Sequence, residues 1–286
     1  MIKIANTLYG TLILLALLTS CRPKQEEIVI IPDAQKNHLQ RNMLKGPVKS
    51  ISTTLLYITE IDSVTKKVDT ISTNIQFYSP DGFLVKSYSL NAKNDTILSR
   101  IIHYRKDAKE DYWDEFDSTG KKIKWCQYEY DMNQYKSGEK IYKNDSLSYS
   151  IEYKTDGMGN IIRMTRDYVT YKLSNVMKYN TDGLLYRIDE MDPDGKLFKY
   201  VVLEYDNYGD EVNRRAFKSE NNLIEYTYTQ YDQNGRLIKV IYEDRLHKFQ
   251  ETSEYSGHDK QGNWKKEIRK KANNISLVRE RNIVYY

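Results

Sequence analysis

Runs rich in Tyr, Ile, Val and Thr, set between turn residues, follow one another along most of the chain, as in Leu197–Tyr205 and Glu225–Tyr231. Those residue types are the ones pleated sheets favour, and along a strand side chains alternate between the two faces with a period of two. Val48–Tyr78 predicts two further long strands about a turn at 62–67. A 3.6-residue period emerges only between Ala34 and Leu44, where Leu39, Met43 and Leu44 share one face of a short helix that Gly46-Pro47 ends.

The strands are punctuated regularly. Tyr153, Tyr179, Tyr205 and Tyr231 are spaced 26, 26 and 26 residues apart, and His258 follows at 27. Each is followed by Asp or Asn and then Gly: Asp156-Gly157, Asp182-Gly183, Asp206 with Gly209, Asp232 with Gly235, and Asp259 with Gly262. Tyr130-Asp131, Tyr104 and Phe77-Tyr78 with Asp81-Gly82 extend the series upstream. Gly supplies the positive φ of a tight turn, and an apolar residue such as Leu84, Leu185 or Leu237 begins the return strand. A second turn lies midway through many units, as at Asp192-Pro193-Asp194-Gly195. Each unit therefore predicts a hairpin of two strands, each about nine residues and ~30 Å long.

Composition sharpens this picture. Twenty-six tyrosines stand against 6 Phe and 3 Trp, and the mean hydropathy is −0.73. A deep aliphatic core is not expected; tyrosine can cover a sheet with its ring and keep its hydroxyl wet. The formal charge of +4 is spread over both signs, which argues against nucleic acid as a partner.

The first twenty residues carry Lys3 as their one charge and run apolar from Leu12 to Leu18, the layout of a secretory signal. The run is too short for a membrane span. Leu18-Thr19-Ser20-Cys21 resembles the lipobox of bacterial lipoproteins, which implies cleavage before Cys21 and lipidation of its sulfur. Arg22-Pro23-Lys24-Gln25-Glu26-Glu27 resembles the surface-export signal of Bacteroidetes lipoproteins. Cleavage leaves 286 − 20 = 266 residues, and Cys126 then has no partner for an intramolecular disulfide.

The Tyr-Asp-x-x-Gly-x-Leu unit, clearest in Tyr231-Asp232-Gln233-Asn234-Gly235-Arg236-Leu237, resembles the YD repeat of the RHS family over residues 77–286. The resemblance implies a continuous antiparallel β-ribbon, which in that family can spiral into a shell around cargo. About eight units are too few for such a shell. The lipobox, the Lys45-Gly46-Pro47-Val48-Lys49 entry and the repeats together are similar to Bacteroides-type lipoproteins.

Candidate chemistry is sparse. His38, His103, His247 and His258 have no metal-ligand spacing. Glu190–Gly195 offers carboxylates in calcium-loop order, but Val201 stands where a bidentate Glu is required. No carboxylate pair is singled out for glycoside hydrolysis. Trp113, Trp125 and Trp264 are the candidate ligand-binding rings.

The sequence thus predicts an all-β protein, a repetitive antiparallel hairpin meander in a long twisted sheet free to curl. Residues 1–20 form the signal, 21–47 a lipid-anchored tether with a short helix, and 48–286 the repeat domain, with 48–78 as its cap. The expected role is non-enzymatic: an outer-membrane lipoprotein, at the cell surface in preference to the periplasmic face, that binds or scaffolds a protein or glycan without a cofactor or metal. An envelope glycan hydrolase and an immunity lipoprotein that binds a toxin are the alternatives.

Overall fold

The computed structural model describes residues 38–60, 66–168, 170–272 and 274–286. The signal segment, Cys21 and the start of the expected helix lie outside them; what is described of that helix is one turn, α1 (His38–Arg41). Eighteen strands follow: β1 (Val48–Glu60), β2 (Lys66–Tyr78), β3 (Leu84–Asn91), β4 (Thr96–Tyr104), β5 (Glu110–Asp117), β6 (Lys122–Tyr130), β7 (Lys136–Lys143), β8 (Ser146–Thr155) and β9 (Ile161–Tyr168). The second half comprises β10 (Lys172–Tyr179), β11 (Leu185–Met191), β12 (Leu197–Tyr205), β13 (Glu211–Lys218), β14 (Leu223–Tyr231), β15 (Leu237–Asp244), β16 (Phe249–Ser256), β17 (Lys266–Lys271) and β18 (Asn274–Tyr285).

Each strand pairs antiparallel with the next, so the meander is as expected. The sheet does not remain an open curled strip, however. β1 pairs antiparallel with β18 from Val48↔Tyr285 to Leu56↔Val278, and the ring closes as an 18-stranded barrel. Closure removes the two edges whose unpaired backbone groups would otherwise recruit other chains. Period-two patterning could not reveal this, because it fixes the faces of a strand and not the partner of the first and last ones. β1 and β2, from the segment read as a cap, are staves of the ring.

Directly paired residues share a face, so one face can be followed around the ring through the registers. It carries three buried clusters. Val48, Ile51 and Tyr78 pack with Leu39 and Leu44. Trp113, Cys126, Ile141 and Ile151 form the second, and Val201, Leu203, Ala216 and Ile224 the third, to which β14 adds Ile224 from its edge. This is the inner face. Each cluster joins neighbouring strands, as expected of a single curved layer.

The repeat has a definite physical meaning. All eight turns from an even to an odd strand share one backbone pattern. The first turn residue donates its N–H to the carbonyl four positions on, and the amide at its third successor returns to it, as in Asp206 N→Asp210 O and Gly209 N→Asp206 O. In seven, the first side chain also accepts the later amide; Asp232 Oδ1 accepts Arg236 N at 3.0 Å, and Ser79 Oγ accepts Phe83 N. The fourth position has positive φ throughout. Ala108 (φ 62) and Gln134 (φ 63) fill it where the Gly series is broken, so those two turns are the same structure without its signature residue.

The tyrosine just before each turn closes a fork. Pairing across the β13–β14 seam stops at Asn213↔Tyr228, and across β11–β12 at Arg187↔Val202, so the strands diverge towards this rim. There Tyr205 OH donates to Leu185 O (2.7 Å), Tyr231 OH to Glu211 O (3.3 Å), Tyr104 OH to Leu84 O (2.6 Å), Tyr130 OH to Glu110 O (2.5 Å) and Tyr179 OH to Ile161 O (3.0 Å). His258 Nε2 contacts Leu237 O at 2.8 Å in the same place. On β8 this slot belongs to Thr155, which pairs with Ile161 as Tyr179 pairs with Leu185. Tyr153 lies two residues short of it and bonds Glu139 instead (2.8 Å).

Two substitutions test these roles with opposite signs. Ala108→Gly removes a left-handed alanine and raises the melting temperature, by up to about 1 kcal/mol of stability. Tyr104→Phe deletes one bridge and lowers stability by about 1 kcal/mol. Thermal melts with the reverse order would refute the reading of the turn and fork.

Candidate functional site

The segment 38–47 crosses the rim that carries the repeat turns. Leu39 N donates to Gly82 O (3.2 Å), and Asn263 clamps the backbone of Lys45, accepting its N–H (2.8 Å) and donating to its carbonyl (2.7 Å). Lys45 Nζ reaches Gly235 O at 2.8 Å. Asn263 and Gly82 belong to turns on either side of the β1–β18 seam, so this strap ties the closing strands to both neighbours.

Its first residue enters a buried ionic cluster. His38 Nε2 lies 3.1 Å from Glu110 Oε1; Lys136 Nζ lies 3.3 Å from Glu110 and 3.2 Å from Glu139. Burial drives the Glu110 carboxyl upward, but the bonds and charges of His38 and Lys136 outweigh it and hold it at about 2. Glu110 and Lys136 occupy the first position after a turn, where other repeats place Leu84, Ile161, Leu185 or Leu237. A second cluster surrounds Glu267, fully buried and bonded to Ser253 (2.8 Å), Arg279 (2.9 Å) and Arg269 (3.2 Å). Both arrangements neutralise their carboxylates with cations. Where a carboxylate shift is resolved among the described residues it is downward, the opposite of a general acid's requirement.

The three tryptophans are not brought together. Trp113 is buried in the second inner cluster, with the Arg100 guanidinium 4.3 Å from its ring. Trp264 is buried beneath Arg281, 3.4 Å away. Trp125 lies on the outer face, stacked on Tyr142 with centroids 3.9 Å apart. Cys126 is fully buried, and burial pushes its thiol up to about 12. The acidic stretch Glu190–Gly195 forms the β11–β12 turn, with Asp192 Oδ1 accepting Lys196 N. Among the described residues no group of three His, Cys, Asp or Glu is placed to hold a metal.

An open groove of ≈ 940 Å³ lies at the β13–β14 fork. Its walls include Tyr208, Tyr228, Gln230, Gln233, Asn234 and the carboxylates of Asp206, Asp210 and Asp232, with Lys45 at one side. Tyr208 is 66% and Tyr228 37% exposed. Neither is a fork-closing tyrosine. Tyr208 sits inside a turn where the other repeats carry Asp81, Asp107, Asn133, Met158, Asp182, Asn234 or Gln261. Two carboxylates are already engaged: Asp206 Oδ1 accepts the amides of Tyr208 and Asp210, and Arg236 bonds Asp232, holding it at about 2. The groove thus offers ring faces and carboxamides more than free charge. The sequence signal for it is a tyrosine off the repeat register, which counting tyrosines does not isolate.

No protein-family model matches the chain, and no curated protein is similar to it in sequence. Solved structures similar to it include TcdB2-TccC3-TEV, at 12% identity and a TM-score of 0.36, covering 80% of this chain and 16% of that one. A porin-like protein from Bacteroides uniformis ATCC 8492 is 12% identical with a TM-score of 0.44, over 85% of this chain and 98% of that one. A porin-like protein from Bacteroides vulgatus ATCC 8482 is 12% identical with a TM-score of 0.35, over 84% and 98%.

The Glu110 cluster gives a pH prediction. Its folded pKa lies below the ordinary 4.5, so its stabilisation is present above 4.5 and is lost as pH falls towards about 2. Glu110→Gln flattens the acid limb of the stability curve over that window and leaves the limb above pH 6 parallel to wild type. An unchanged acid limb in urea melts at pH 3–6 would contradict the assignment.

Proposed function

We propose that this chain is a lipid-anchored cell-envelope binding module, held through Cys21 on the outer membrane at the cell surface, which takes a glycan in the β13–β14 groove. The anchor rests on Leu18-Thr19-Ser20-Cys21 and the apolar run before it. The observation that carries the ligand reading is the groove itself. Two exposed tyrosines without a part in the fork ladder flank carboxamides on a rigid closed sheet. Sugars present C–H faces that stack on rings and hydroxyls that both donate to and accept from carboxamides. A cationic peptide is less well served, because the carboxylates of Asp206 and Asp232 already hold internal partners. The chemistry we propose is binding, with Asp232 in the groove already paired to Arg236 and the buried Glu267 to Arg269 and Arg279.

Affinity electrophoresis through gels of neutral polysaccharides, dextran and mannan among them, tests the ligand. Wild type is retarded, Tyr208→Ala and Tyr228→Ala each weaken retention by about tenfold, the contribution of one stacked ring, and Trp125→Ala does not. Equal mobility of all four proteins in every polysaccharide would remove the glycan reading. Detergent phase partitioning tests the anchor. Wild-type protein enters the detergent phase and Cys21→Ala remains aqueous; identical partitioning would refute lipidation.

A further inference from the structure

One sector of the barrel wall carries a run of apolar side chains on its outer face above polar inner rungs. Elsewhere the outer face carries charge at mid-strand at Lys140, Glu152, Arg163, Lys178, Arg215 and Lys239. On β2 and β3 the inner rungs are wholly polar: Ser72↔Asn91, Asn74↔Ser89 and Gln76↔Ser87. Their outer neighbours are Ile75, Phe77, Tyr88 and Leu90, and the bulge residues Ile71 on β2 and Ile97 on β4 lie at the ends of the same strands. Ile71 is 45% and Ile97 43% exposed. A contiguous apolar patch on an outer wall marks a contact surface.

We infer that the outer face of β2–β4 rests on the lipid surface to which the chain is anchored; this depends on the reading of Cys21 as the lipidated residue. Three observations select a bilayer. The first is the place of His38, which packs on Phe83 at the β2–β3 turn and pairs with Glu110 at the head of β5, at the margin of this patch. From Cys21 to His38 is 38 − 21 = 17 residues, a reach of at most ~60 Å. The anchored lipid and the patch are thereby kept near each other, raising the effective concentration of one contact given the other. The second is the rim of the patch. Lys86 lies on the same outer row with its ammonium 4.7 Å from the Tyr88 ring, the amphipathic pairing that suits a headgroup layer. The third is extent. None of the six apolar side chains is more than 45% exposed, so together they fall well short of the ~800 Å² per partner of a stable protein interface. Shallow contact with a bilayer has no such threshold, because the acyl anchor supplies the retention. The mid-strand charges elsewhere exclude immersion of the whole ring, as a lipid-embedded barrel keeps an apolar band all round.

The test uses the full lipidated chain in liposomes of phosphatidylethanolamine and phosphatidylglycerol. Single cysteines at Ile75→Cys, Ile97→Cys and, on the opposite wall, Glu152→Cys are labelled with an environment-sensitive fluorophore; Cys126 is buried and does not compete. Flotation is read first. Protein that floats and shows a blue shift of about 10 nm or more at 75 and 97, with none at 152, supports the inference. Protein that floats with no shift at any site overturns it while leaving the anchor intact. Protein that fails to float removes the anchor and this inference together. A blue shift at 75 and 97 without liposomes, with a doubled mass by sedimentation, overturns it in favour of a second copy of the chain.

Discussion

A closed ring of hairpins has a geometric difficulty at one rim. Strands joined at the far end diverge as they approach the repeat turns, and backbone pairing stops about two residues short. The fork-closing tyrosine resolves this. Its ring lies on the inner face and its hydroxyl reaches the carbonyl of the first residue across the fork, replacing the ladder bond that divergence removes. Six seams use this contact, five through tyrosine and one through His258. Phenylalanine would fill the same space and leave the carbonyl unpaired, which explains why tyrosine stands at these five positions.

The strap depends on that rim being well ordered. Asn263 can hold both polar groups of the Lys45 backbone because its own N–H is fixed by Asp259, in the same way that seven of the eight repeat turns fix their fifth residue. One turn of the series has thus become a clamp for the chain's entry. The clamp lies beside the β1–β18 seam, which joins the first and last strands of the ring. Contacts that span this seam stabilise closure more than contacts within one hairpin, because they hold residues distant in sequence.

The strands, their hairpin order and the spacing of the turns were legible in the sequence, because alternation and turn chemistry are local. The register of the repeat was legible only in part. Tyr153 falls 26 residues before Tyr179 by coincidence: the fork slot is Thr155, and the units on either side of it are short, 155 − 130 = 25 residues with a two-residue β7–β8 turn, Asn144-Asp145, and 179 − 155 = 24 residues. Ala108 and Gln134 hide two turns whose backbone matches the others. Closure was not legible at all, since no local pattern says that β1 and β18 meet. Of the candidate site residues, Trp113 and Trp264 read identically to Trp125 in sequence, and only the folded structure separates the two buried rings from the one stacked on the outer face.

Residues that obey the repeat are accounted for by architecture, so function has to be sought in departures from it. Tyr208 stands in a turn position that needs no aromatic ring. Glu110 and Lys136 stand where an aliphatic residue would serve. The outer face of β2–β4 carries Ile75, Phe77, Tyr88 and Leu90, where neighbouring β1 carries Ser50, Ser52 and Thr54. Each departure costs the fold something: an exposed ring, a desolvated charge pair, an uncovered apolar surface. A repeat protein can tolerate such costs locally because its stability is distributed over many similar interfaces. The same economy places the departures on distinct sectors, with the groove at the β13–β14 fork and the apolar patch on β2–β4. One wall can then face a membrane while another presents a ligand site.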